Sequence, residues 1–106
     1  MTDSLTPGTS SFVMLYTPLC GTCKVALRML DVVEAADPAL HADRINLNVR
    51  PELAERWRVG SVPCLVRVRK GEVSGMLYRI SSVDTILTWM RQRLAEETDE
   101  PIKGMS

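Results

Sequence analysis

The chain has 106 residues, 45% of them hydrophobic and 25% charged, which fits one globular domain and excludes repeat arrays and multidomain enzymes. A chain of this length buries roughly 65% of the surface it exposes when unfolded, so a single core suffices without metal or disulfide staples. Thirteen Lys and Arg balance thirteen Asp and Glu, leaving no global field to hold nucleic acid or an anionic membrane.

The longest apolar run, Phe12 to Tyr16, is far short of the ~20 residues of a membrane span, and no charged leader precedes a secretory hydrophobic segment. A cytoplasmic, monomeric protein with neither nucleic-acid nor membrane partners is therefore expected. The charge is unevenly laid out. From Arg44 to Arg79, eight basic residues face only Glu52, Glu55 and Glu72, whereas Glu96, Glu97, Asp99 and Glu100 cluster near the end. Residues 1–10, rich in Thr, Ser, Pro and Gly, read as a flexible leader, 11–96 as the folded domain, and 97–106 as an acidic flexible tail.

Phe12-Val13-Met14-Leu15-Tyr16 is a continuous apolar run bounded by Ser10-Ser11 and Thr17-Pro18, the pattern of a strand buried on both faces. From Cys20 to about Ala36, Val25, Ala26, Met29, Leu30 and Val33 follow the rhythm of a helix with one buried stripe, and Asp37-Pro38 stops it. Arg44 to Asn48 alternates with period two, as a strand does. Pro51 to Trp57 suits a short helix with proline in its first position and a Glu52/Arg56 pair. Cys64 to Arg69 and Glu72 to Tyr78 are β-rich runs joined by Lys70-Gly71, a tight hairpin. Ser82 then caps a helix with apolar positions Val83, Ile86, Leu87, Met90 and Leu94. The order is βαβαββα. A right-handed parallel crossover followed by an antiparallel hairpin yields an α/β fold with one mixed four-stranded sheet flanked by three helices.

Three cysteines are too few and too odd in number for a secreted disulfide framework, and two of them form Cys20-Gly21-Thr22-Cys23. In a reducing compartment this spacing points to redox chemistry or to metal. Cysteines three apart on a helix's first turn lie about 5 to 6 Å from each other, within a slight tightening of disulfide geometry. Cys20, at the helix N-terminus, faces unpaired N–H groups and the positive dipole end, which favours thiolate over thiol and marks it as the attacking nucleophile. Cys23, one turn further in, is shielded and attacks second, expelling a captured substrate. The structural alternatives are a buried cysteine couple or half of a zinc site.

Together with the element order, three signatures resemble the thioredoxin family from about Phe12 to Leu94: Tyr16-Thr17-Pro18-Leu19-Cys20-Gly21-Thr22-Cys23-Lys24, Val62-Pro63, and Lys70-Gly71-Glu72-Val73. The resemblance implies a trimmed thioredoxin-like fold. It makes Cys20 and Cys23 the catalytic pair, with their own disulfide as redox centre and no other cofactor or metal. It implies a cis Val62-Pro63 bond opposite the cysteines, with Val62 offering backbone hydrogen bonds to an extended substrate and Pro63 covering the sulfurs. The chain departs from the family pattern at Met14, where a buried acid would help move the resolving thiol's proton. It also departs at Leu19 in place of Trp, at Gly21-Thr22, and at Arg79 where a substrate-side glycine is usual. No Cys-Pro-Tyr-Cys or glutathione-site signature is present.

Three further residues are possible modulators. Lys24 either adds positive potential near the thiolates or is simply solvated. Arg79 either obstructs some substrates and attracts acidic ones or is an ordinary surface arginine. Cys64 reads as a small buried strand residue, a third partner in disulfide exchange, or a ligand in a thiolate site for zinc or an iron-sulfur cluster. His41 reads as a surface residue, and Trp57 and Trp89 as core anchors. Arg67 and Arg69 share one face of an interior strand, their heads reaching solvent or a carboxylate such as Glu34 or Glu72, unless that face is open to a partner.

The function read from all this is a thiol-disulfide oxidoreductase that reduces disulfide-containing protein substrates and is recycled by a reductase or a low-molecular-weight thiol. Two alternatives stand beside it. One is a non-catalytic zinc or iron-sulfur module using Cys20, Cys23 and Cys64; the other is a redox-inactive adaptor that lost turnover through Met14 and Arg79.

Overall fold

In the computed structural model the backbone is described for residues 10–105 and the side chains for 11–96. The expected leader (1–10) and acidic tail (97–106) lie outside the described side chains. The elements are β1 (Ser10–Tyr16), α1 (Gly21–Ala36), β2 (Ala42–Asn46), α2 (Glu52–Arg56), β3 (Cys64–Arg69), β4 (Glu72–Leu77) and α3 (Val83–Met105). They form one mixed sheet in the order β2-β1-β3-β4, with β1 and β2 parallel and the other two pairings antiparallel. This is the βαβαββα, four-stranded and three-helix architecture expected from the sequence.

The apolar run of β1 is continuous because both of its faces are covered. Phe12 and Met14 pack with Ala26, Leu30 and Val33 of α1 and with Ile86 and Met90 of α3. Val13 and Leu15 point the other way and pack with Leu53 and Trp57 at α2 and with Cys64, Val66 and Val68 of β3. Period-two alternation thus sends one strand's side chains into two separate cores. Trp57 is buried in the second core and Trp89 packs edge-on against Phe12 in the first, so both indoles are core anchors.

Local chemistry fixes the turns. Lys70 (φ 54°) and Gly71 (φ 82°) both adopt left-handed backbone, as a two-residue hairpin between twisted strands requires. Ser82 caps α3, its Oγ accepting the Thr85 N–H at 3.1 Å. Opposite Arg67, Gly75 meets Trp89 and Arg93 so closely that an added Cβ would lie 3.3 Å from each side chain. The glycine lets α3 lie close against β4.

Three sequence expectations need correction. The second strand covers Ala42–Asn46 rather than Arg44 to Asn48. Its start is recruited by Glu34 of α1, whose carboxylate accepts the Ala42 N–H at 2.9 Å and an Arg44 N–H at 2.8 Å. Its end is set by Asn46, whose side chain accepts the Asn48 N–H and turns the chain. Burial acts to raise the Glu34 pKa, but the hydrogen bonds from Arg44 and Ala42 outweigh it and hold the carboxyl below its ordinary range. Glu52 pairs with Arg50 (2.6 Å) rather than with Arg56, and Pro51 precedes α2 as its cap residue. Arg67, finally, reaches neither solvent nor an open face. It is 1% exposed, with its guanidinium carbon 5.0 Å above the Phe12 ring. Glu34 is engaged elsewhere, by Arg44, Ala42 and His41.

Candidate active site

The site forms where β1 runs out. Thr17 and Pro18 turn the chain, the Cys20 N–H donates to the Thr17 carbonyl at 3.2 Å, and α1 begins at Gly21 with Cys20 as its N-cap in an extended conformation. A cap residue normally offers a side-chain oxygen to the orphan N–H groups of the first turn. Here that acceptor is a sulfur. The Cys23 N–H donates to Cys20 Sγ at 3.1 Å, and the Thr22 hydroxyl lies 3.3 Å from the same atom. Helix dipole and local donors therefore converge on the position where negative charge would sit on Cys20.

Cys20 and Cys23 are joined by a disulfide, with Cα atoms 5.1 Å apart. The two sulfurs differ in access: Cys20 is half-buried, whereas Cys23 is 1% exposed beneath the helix start. Cys20 Sγ lies 4.0 Å from the carbonyl oxygen of Val62, and the Val62–Pro63 peptide bond is cis. The sheet brings these segments together because β3 runs antiparallel to β1, which pairs Leu15 with Cys64 and sets residues 60–63 beside the end of β1.

Tyr78 was not marked as a site residue by the sequence. Its phenol oxygen accepts the Gly60 N–H at 2.9 Å, and its O–H donates to Met76 Sδ at 3.5 Å. The phenol thus ties the end of β4 to the loop that carries Val62. In sequence, Tyr78 is only the last residue of a β-rich run, and no local signal marks a partner eighteen positions away.

Lys24 and Arg79 are exposed, and Leu19, next to Cys20 in the chain, is almost wholly exposed. Met14 is fully buried among apolar side chains, so the position where the resemblance would place an acid holds a thioether. His41 lies on the surface against Glu34 and Asp43. Among the described residues no three of His, Cys, Asp and Glu are grouped so as to hold a metal ion.

Cys64 is instead a buried residue of the second core. Burial pushes its thiol up to about 11 from an ordinary 9.0, against a smaller opposing effect of the Tyr78 hydrogen bond. The sign of the linkage follows. Below pH 9 the thiol is protonated in both folded and unfolded chains and adds no slope. From about 9 to about 11 only the unfolded chain releases the proton, so stability falls as pH rises, by at most about 1.4 kcal/mol per pH unit. Urea unfolding of the wild type and Cys64→Ala across this range should show the fall in the difference between them. Parallel curves would mean that the buried thiol does not titrate late.

No family model matches the chain. A curated relative does: the thioredoxin-like protein YusE of Bacillus subtilis is 34% identical over 79 residues, spanning 74% of each chain. The chain belongs to the thioredoxin-like family. A second relative, thioredoxin of Chlamydia caviae, is 25% identical over 77 residues, covering 73% of this thioredoxin-like chain and 76% of the relative. The fold is shared with mitochondrial thioredoxin 3 of Saccharomyces cerevisiae in its oxidised form (TM-score 0.69, 17% identity, 83% and 82% of the two chains). It is also shared with a thioredoxin variant from Halobacterium salinarum (TM-score 0.68, 19% identity, 80% and 74%). Family membership together with the Cys20–Cys23 pair supports a thiol-disulfide redox role for this thioredoxin-like protein.

Proposed function

We propose that the protein reduces disulfides in other proteins, with Cys20 as nucleophile and Cys23 as resolving thiol. In the dithiol form Cys20 gives up its proton, and its thiolate attacks one sulfur of the substrate disulfide. The substrate S–S bond breaks, a mixed disulfide forms, and the departing substrate thiolate takes up a proton. Cys23 then loses its proton and attacks Cys20 Sγ, breaking the mixed disulfide, closing Cys20–Cys23 and releasing the second substrate thiol. Two electrons pass from the dithiol to the substrate. A reductase or a low-molecular-weight thiol returns them, and no cofactor beyond the cysteine pair is needed. The Val62 carbonyl, 4.0 Å from Cys20 Sγ, supports a role for Val62 and Pro63 in which the Val62 backbone holds an extended substrate segment and Pro63 covers the sulfurs. A reducing compartment, the cytoplasm, and a monomeric state complete the proposal.

The observation that carries this reading is the Cys23 N–H donated to Cys20 Sγ at a helix N-cap, with the second sulfur sheltered one turn behind. It is tested by equilibrating the protein with glutathione buffers and reading the reduction potential of the pair. A value of roughly −250 mV or lower fits a reductase in a reducing compartment. A value near −120 mV, that of a strong oxidant, overturns both the direction of the reaction and the cytoplasmic assignment.

A further inference from the structure

Resting on the reductase reading above, we propose that the face around Cys20 selects acidic segments of disulfide-bearing proteins, with Arg79 as the main determinant. β1 ends at Tyr16, β3 begins at Cys64 and β4 ends at Leu77, so residues 17–24, 59–63 and 78–83 meet at one end of the sheet. These three segments hold two cations, Lys24 and Arg79, and no acid. The first acid beyond them is Asp84, in the opening turn of α3. Arg50, after β2, is already neutralised by Glu52.

The register places Arg79. β3 and β4 pair Leu65 with Leu77. Continued past that last pair, the same register would set Cys64 opposite Tyr78. One step further it would set Arg79 opposite Pro63, whose neighbour Val62 has its carbonyl 4.0 Å from Cys20 Sγ. The Tyr78 phenol, fixed to the Gly60 N–H at 2.9 Å, holds this end of β4 against the loop. Arg79 is exposed, and it forms no ion pair among the described residues, in contrast to Arg44, Arg50, Arg91 and Arg93. Lys24 flanks the cysteines from α1, likewise exposed and unpaired among the described residues. Leu19, next to Cys20 in the chain, is 96% exposed and adds apolar surface beside the cysteines. Two unpaired cations and an exposed apolar side chain complement a segment with Asp or Glu flanking its disulfide. Such exposed charges act chiefly on the association rate, in a salt-dependent way.

The test uses the full chain, with dithiothreitol as electron donor and three disulfide-cyclised peptides that differ only in flanking residues: Asp, Ser or Lys. Within each variant, kcat/KM for the Asp peptide is divided by that for the Lys peptide, so that any change in general activity cancels. In the wild type this ratio is expected to be on the order of 10 at low salt and to fall towards 1 at high salt. Arg79→Ala should lower the low-salt ratio, and Arg79→Glu should bring it below 1. Equal rates on all three peptides, or a ratio that ignores both salt and Arg79→Glu, overturn the proposal while leaving the reductase reading intact. Faster reduction of oxidised glutathione than of the Asp peptide overturns the assignment to protein segments. Failure to reduce any of the disulfides overturns the reductase reading and the proposal with it.

Discussion

Serine in place of Cys20 is expected to bring dithiothreitol-driven reduction of insulin down to the uncatalysed rate while the fold stays intact. The two effects separate because Cys20 plays two roles. As the N-cap of α1 it accepts the Cys23 N–H, and serine is among the best residues for that position, so the helix start keeps its acceptor. As a redox atom it has no substitute. A serine hydroxyl forms no disulfide, and Cys23, 1% exposed, is too sheltered to take over the attack. Cys23→Ser should behave differently. It retains the attacking thiolate and lacks only the step that releases the substrate, so it accumulates mixed disulfides that dithiothreitol dissolves. Turbidity assays, gel mobility under non-reducing conditions and circular dichroism on both variants read these outcomes. Turnover that survives in Cys20→Ser and vanishes in Cys23→Ser, with no trapped species, would reverse the assigned roles.

The parts of this fold that were legible in the sequence are those governed by neighbours along the chain. The apolar run of β1, the stripe of α1 ended by Asp37-Pro38, the Lys70-Gly71 turn and the Ser82 cap each depend on a few consecutive residues, and each appears where their chemistry puts it. The cysteine pair was legible for the same reason, since its spacing and its place between a strand and a helix are local facts. What escaped depends on residues brought together by the sheet. The start of β2 is drawn two residues forward by Glu34 of the preceding helix. Tyr78 becomes part of the site only because the β3–β4 register brings it beside Gly60. An extra residue in β4, where the pairing slips between Arg67 and Val68, sets Gly75 rather than a side chain opposite Arg67. Charge patterning alone leaves that arginine's head between solvent, a carboxylate and an open face, because a guanidinium buried over an aromatic ring looks in sequence like any exposed arginine on a strand.

The enclosed arginine makes Phe12 the core residue whose loss should be felt most. Phe12 is 4% exposed, and its ring serves three neighbours at once. It fills the core between α1 and α3, meets Trp89 edge-on with centroids 5.9 Å apart, and lies beneath the Arg67 guanidinium. Phe12→Ala should lower the unfolding free energy by about 3–5 kcal/mol, the usual range for emptying a buried phenylalanine site. For a domain of this size that is a fall in melting temperature of well over 10 °C, at about 4–8 °C per kcal/mol. Phe12→Leu separates volume from ring chemistry. It restores most of the filling but offers no π face to the guanidinium and no partner for Trp89, so a deficit of about 1–2 kcal/mol should remain. A cycle combining Phe12→Leu with Arg67→Met then assigns the remainder. If the ring is what makes the buried charge tolerable, Phe12→Leu should cost less in the Arg67→Met background than in the wild type. Equal costs in both backgrounds would mean that the cation and the ring are neighbours without being coupled.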